Sequence, residues 1–173
     1  MHSNIYGLRL VDDKTPNQYL TVEENNVDFE LLFAHFADYI EDYSKSQWWE
    51  ELQRLHNCYE FIDISMKDGE HYITITMEDL KFHLEDELDK LRKFLDEISY
   101  KDWLTDSLIR YKAQQKIEQT GGFHIVDATG CEDTLNNASE FTLSDWLSTI
   151  YRLYHKTHTT LTFRVEGVLD YHY

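Results

Sequence analysis

Between Glu60 and Thr76 apolar and polar side chains alternate with a period of two, interrupted once by Asp68-Gly69. That dipeptide accepts the positive φ angles of a two-residue hairpin turn, so the run predicts two paired strands. With Lys67 and Glu70 flanking the turn, Ile64 stands opposite Ile73 and Ile62 opposite Ile75, all on one face. Asp63, Ser65, Tyr72 and Thr74 take the other face, and a slip of one residue would invert both sets. From Thr76 the period changes. Met77, Leu80, Leu84, Leu88, Leu91, Leu95 and Ile98 recur at steps of three and four. They form one stripe of a helix roughly 30 Å long, at about 1.5 Å per residue. Thr76 with Asp79 is an N-capping pair at its start, and Ser99 with Asp102 begins a fresh helix at its end. The isoleucine face of the hairpin is the expected cover for the leucine stripe.

The flanking segments carry shorter signals. Residues 4–11 alternate Tyr6, Leu8 and Leu10 against Ile5, Gly7 and Arg9, which predicts a strand at or near a sheet edge. A turn cluster at 12–17 precedes a short strand candidate at 18–22. Phe29, Leu32, Phe33, Phe36, Tyr39, Ile40 and Tyr43 share one side of a predicted helix from Asn26 to Tyr43. A shorter helix over 47–57 turns Trp48, Leu52 and Leu55 inward. After Ser99 a further helix is expected to bury Leu104, Leu108 and Tyr111 and to end before Gly121-Gly122. Residues 123–126 read as a strand and 127–140 as a loop. A helix begins at Thr142 with Asp145, and 159–169 form a closing strand. The irregular order of strands and helices predicts one α+β domain over 1–173. Its mostly antiparallel sheet, the hairpin 60–76 plus the N- and C-terminal strands, packs against about five helices.

Composition narrows the class. With 173 residues, 42% hydrophobic and 14% aromatic, the chain is able to bury a core. The first ten residues lack a basic segment followed by an apolar run, and no apolar stretch reaches membrane-spanning length. Cys58 and Cys131 form no CxxC pair, which fits a reduced, cytoplasmic protein. The 33 acids against 16 bases give a net charge of −17. Such a charge disfavours direct contact with nucleic acid or an anionic membrane and favours basic partners. The excess is uneven: residues 1–60 hold 12 acids and 4 bases, whereas 101–173 hold 10 and 7.

Two helices account for much of that excess. On the helix after Thr76, Asp86 with Lys90, Asp89 with Lys93 and Arg92 with Asp96 compensate one another at i, i+4. Phe82 points away from the leucine stripe, toward Glu78, Glu85 and Asp89, so either a neighbouring element covers it or it is a contact residue. On the predicted helix 26–43 there is no compensation. No Lys or Arg occurs between Lys14 and Lys45, while Glu23, Glu24, Asp28, Glu30, Asp38, Glu41 and Asp42 do. Acids near the end of a helix oppose its dipole by about 0.3–1 kcal/mol each. An uncompensated local conflict of this kind points to a binding surface. The expected partner-binding residues are therefore Glu23, Glu24, Glu30, Asp38, Glu41, Asp42, Phe82 and Glu85.

Signatures of catalysis are scarce. The chain has no P-loop, GxGxxG or GxSxG. His155 and His158 lack a nearby acidic or Cys ligand, and the run from Asp127 lacks the glycine and the final glutamate of a calcium loop. Cys131 near His124 suits a buried cysteine better than a nucleophile with its base. The expectation is a non-enzymatic acidic binding protein with no cofactor and no metal, presenting carboxylates to a basic groove of a nucleic-acid-handling partner. In general character, though in no motif, this is how DNA-mimic inhibitors of restriction or CRISPR nucleases work. An immunity protein against a nuclease toxin, a small metal-dependent hydrolase built on a carboxylate cluster, and a homodimeric structural subunit are the alternatives.

Overall fold

The computed structural model describes residues 2–12, 39–109, 111–113, 123–130 and 139–172; for 2, 39, 40, 139, 140, 171 and 172 it describes only the backbone. Strands β1 (His2–Leu10), β2 (Tyr39–Asp42), β3 (Ile62–Lys67), β4 (Glu70–Thr76), β5 (Phe123–Asp127), β6 (Ser139–Thr142) and β7 (Thr160–His172) form one sheet. The helices whose bounds lie within the described residues are α1 (Lys45–Cys58), α2 (Met77–Glu97), α3 (Tyr100–Thr105) and α4 (Leu143–Tyr154). The strand order is β3-β4-β7-β1-β5-β6, with β2 also on β7. Pairing is antiparallel except between β1 and β5. This is the α+β class that the sequence predicts.

The 13-residue β7 is the spine of the sheet. Its first half pairs with β4 and its second half with β2, both on one edge, while β1 runs along the other. β1 is therefore interior and not at an edge, and Ser3 to Leu10 are all buried. The sequence misleads there because Arg9 looks like a solvent-facing residue. Its guanidinium is instead neutralised in place: Nε donates to Glu166 Oε1 at 2.9 Å, and the two side chains are 0% and 1% exposed. Arg164 Nη2 donates to the same oxygen at 2.6 Å. The β1–β7 register shifts between Gly7 and Leu8, so that Gly7 pairs with Gly167 but Leu8 pairs with Val165. Glu166 is the extra residue of this bulge.

The hairpin forms in the predicted register, with Ile62 opposite Ile75 and Ile64 opposite Ile73. Asp68 and Gly69 take φ angles of 53° and 80°, as the turn requires. Trp48, Leu52 and Leu55 of α1, Met77 and Leu80 of α2, and Leu143, Trp146, Leu147 and Ile150 of α4 close the core over one face of the sheet. Thr76, Ser99 and Thr142 each accept the backbone N–H three residues on, at Asp79, Asp102 and Asp145. The three helix starts therefore fall where the capping pairs put them.

Three further expectations are corrected. Tyr39–Asp42 is a strand, with Glu41 opposite Asp170 and Asp42 opposite Leu169, so a helix does not run through to Tyr43. The rest of that predicted helix, and the strand candidate at 18–22, lie outside the described residues. Leu104, Leu108 and Tyr111 are exposed at 79%, 57% and 58%, and Ile109 is the buried residue of that stretch. The helix breaks at Asp106, whose Oδ1 accepts from Leu108 N at 2.9 Å, a local side-chain bond that competes with continued helix. Finally, the hairpin covers only the first half of the leucine stripe, because Leu88 and Leu95 remain 45% exposed.

Candidate functional site

α1 ends at Cys58, and the chain turns through Tyr59, Glu60 and Phe61 into β3. Tyr59 N–H closes the helix on Leu55 O, and Ile62 N–H bonds back to Tyr59 O at 2.8 Å. This tight exit sets the turn beside the first half of α2. On α2, Asp79, Phe82, His83 and Asp86 stand at i, i+3, i+4 and i+7, one face of the helix. Together these two segments bound an open groove of about 330 Å³, lined by Cys58, Tyr59, Glu60, Phe61, Asp79, Phe82, His83 and Asp86.

The floor of the groove is aromatic. Phe61 lies 4.5 Å from the His83 ring, and Tyr59 meets both edge-on at about 6 Å. Burial, and behind it the Glu87 carboxylate, pushes the Tyr59 hydroxyl up to about 12. His83 Nε2 sits 3.3 Å from Glu87 Oε1, and both side chains are nearly enclosed. The walls are acidic, with Glu60, Asp79 and Asp86 lining the groove and no lysine or arginine among its lining residues. Asp79 is engaged with the Thr76 hydroxyl at the helix cap. Lys90 reaches Asp86 at 2.6 Å and Lys81 reaches Glu85 at 3.5 Å, both as exposed i, i+4 pairs. Such pairs contribute little and yield readily to a competing partner. Phe82 rises from the middle of these carboxylates, 73% exposed.

Of the eight expected contact residues, Phe82 and Glu85 stand together on α2 beside this groove. Glu41 and Asp42 are exposed but belong to β2. Because they are on a strand, the helix-dipole argument for them does not hold. Asp42 pairs with Leu169 of β7, whereas Thr76, at the start of α2, pairs with Thr160. Glu23, Glu24, Glu30 and Asp38 lie outside the described residues.

Glu60, Asp79 and Asp86 were not among the expected residues. The i, i+3, i+4, i+7 spacing around Phe82 carries that signal for α2, while Glu60 enters only through the turn.

Of the other chemical candidates, Cys131 lies outside the described residues and the rest make local hydrogen bonds. Asp127 accepts from Trp146 Nε1 and from Thr129 N, both at 2.9 Å. His155 Nδ1 lies 2.8 Å from Tyr151 O, and His158 Nδ1 lies 2.8 Å from Thr157 Oγ1. Among the described residues no group of three or more His, Cys, Asp or Glu side chains is placed to hold a metal ion. Also among them, no helix is long and apolar enough to cross a membrane. Comparison with family models, with curated proteins and with solved structures finds no match to this chain.

Proposed function

We propose that this protein is a non-enzymatic binding protein that presents a carboxylate surface, anchored by Phe82, to a basic groove on a protein that handles nucleic acid. The observation that carries the reading is Phe82, 73% exposed among Glu60, Asp79, Glu85 and Asp86. Leaving an aromatic ring in water among charges forgoes the roughly 1.5–3 kcal/mol that burying it supplies. Aromatic residues ringed by polar groups are the common anchors of protein interfaces. The net charge of −17 extends the attraction beyond the contact itself and selects cationic partners. A partner that holds DNA or RNA in a positive groove has its charges arranged to meet such a surface, with carboxylates taking the places of phosphates.

The test is affinity capture from the natural host at about 50 mM and about 500 mM salt, where screening differs most. Wild type is compared with Phe82→Ala and with Glu60→Gln/Asp86→Asn. The reading expects a basic, nucleic-acid-handling protein captured at low salt, released at high salt, displaced by duplex DNA, and lost with both variants. Capture that is indifferent to salt, to DNA and to Phe82 would overturn it.

A further inference from the structure

The leucine stripe of α2 is only partly covered over its second half, where Leu91 and Ile98 are half-buried and Leu88 and Leu95 exposed. Met77 and Leu80 are buried, and Leu84 packs against the core. Beyond Glu87 no residue of α2 is buried, and Leu88 and Leu95 are each 45% exposed. α3 continues the exposure: none of its residues is buried, and Tyr100 and Leu104 are open to solvent. A shallow groove of about 310 Å³ lies where the two helices meet, lined by Leu95, Ile98, Ser99, Tyr100 and Trp103. In water, helical segments shorter than about 12–15 residues depend on an apolar face being packed. The half-exposed part of α2, from Leu88 to Glu97, is of that length.

Its pattern specifies what packs there. Leu84, Leu88, Leu91, Leu95 and Ile98 are spaced by four, three, four and three residues, the seam of a two-helix coiled coil. Glu85 and Arg92 are seven residues apart and share one flank of that seam. When two such helices pair antiparallel about a two-fold axis, the same flank of each copy faces the other. With Leu88 set against Leu91 of the second copy, Glu85 comes opposite Arg92 twice, once on each side of the axis. The pairing also sends the two folded bodies to opposite ends of the seam. The intrahelical bonds these residues make, Lys81–Glu85 at 3.5 Å and Arg92–Asp89 at 3.2 Å, are exposed on both sides and weak.

We infer that the exposed half of α2 binds a second copy of this chain as an antiparallel helix pair. The seam closes with Leu88 and Leu91 at the two-fold axis and Glu85–Arg92 ion pairs flanking it. This interface borders the Phe82 surface at Glu85, while Phe82, Asp79 and Asp86 stand on another face of the same helix.

The experiment is light scattering and sedimentation of the full chain over about 10–300 μM, at about 150 mM salt to screen the net charge. The expected mass rises with concentration to twice the 20.8 kDa of one chain. Leu88→Glu/Leu95→Glu should remain monomeric, with far-UV circular dichroism confirming that it folds. Glu85→Arg and Arg92→Glu should each weaken the dimer tenfold or more by setting like charges opposite one another. The combined Glu85→Arg/Arg92→Glu exchange should restore it. A monomer at all concentrations, a dimer that survives Leu88→Glu/Leu95→Glu, or single charge variants that the exchange does not rescue would each overturn the inference.

Discussion

Replacing Glu166 by glutamine tests the buried charge at the bulge of β7. The substitution keeps the shape and the acceptor oxygen and removes only the charge that Arg9 and Arg164 share. Arg9 Nε lies 2.9 Å from Glu166 Oε1, with both side chains essentially solvent-free, and Arg164 Nη2 lies 2.6 Å from the same atom at 18% exposure. Two unit charges at 2.9 Å attract by about 6 kcal/mol at an effective dielectric of about 20, and desolvation opposes much of that. Removing one partner of a buried pair typically costs about 3–5 kcal/mol. For a chain of 173 residues, at about 2–4 °C per kcal/mol, the melting temperature should fall by roughly 6–20 °C. Urea unfolding followed by circular dichroism gives the free energy directly. Among the described residues Glu166 Oε2 and Arg164 Nε have no hydrogen-bond partner, so the cluster is not fully satisfied. The apolar double variant Arg9→Met/Glu166→Leu should accordingly lose much less than Glu166→Gln, or gain stability. A loss below about 1 kcal/mol for Glu166→Gln would refute the reasoning.

Phe82→Ala should change stability by no more than about 0.5 kcal/mol in urea unfolding, because the ring is 73% exposed, even while it abolishes partner capture. Asp127→Ala should cost about 1–3 kcal/mol, because it leaves the indole N–H of the fully buried Trp146 without its acceptor; tryptophan fluorescence during unfolding reads both the loss and the altered environment. Burial holds the His124 imidazole below its ordinary value of 6.5, so the unfolded chain binds the proton more readily than the native one. The stability this supplies is complete above pH 6.5 and is lost as the pH falls through that value toward the native one. Unfolding curves between about pH 5 and 8 should show the decline, and His124→Gln should flatten it.

What the sequence showed and what it hid follow from where the information lies. The hairpin register and the caps at Thr76, Ser99 and Thr142 rest on neighbours within a few residues, and they form as predicted. Tyr39–Asp42 rests on a distant partner. Its aromatic and acidic residues fit a helical wheel, but pairing with β7 decides its conformation. The interior position of β1 was hidden for the same reason, because Arg9 is buried beside its partner Glu166, which is remote in sequence. Nor does the alternation of β7 mark the bulge that places Glu166. At the groove, Phe82 and Glu85 were legible as an aromatic set among acids. Glu60 was not, since it joins them only through the turn after α1.

The central pairing of β1 with β7 has a consequence during synthesis. The two innermost strands come from opposite ends of the described chain, and β1, β2 and β4 each keep an open edge until β7 pairs with it. While the chain is still growing on the ribosome, β1 and β4 each expose a row of unpaired backbone groups to other nascent chains. The chain must emerge through β7, Thr160–His172, before the sheet closes in one late step. A chain released before Thr160 should therefore be a target for chaperones and proteases and not a smaller working protein.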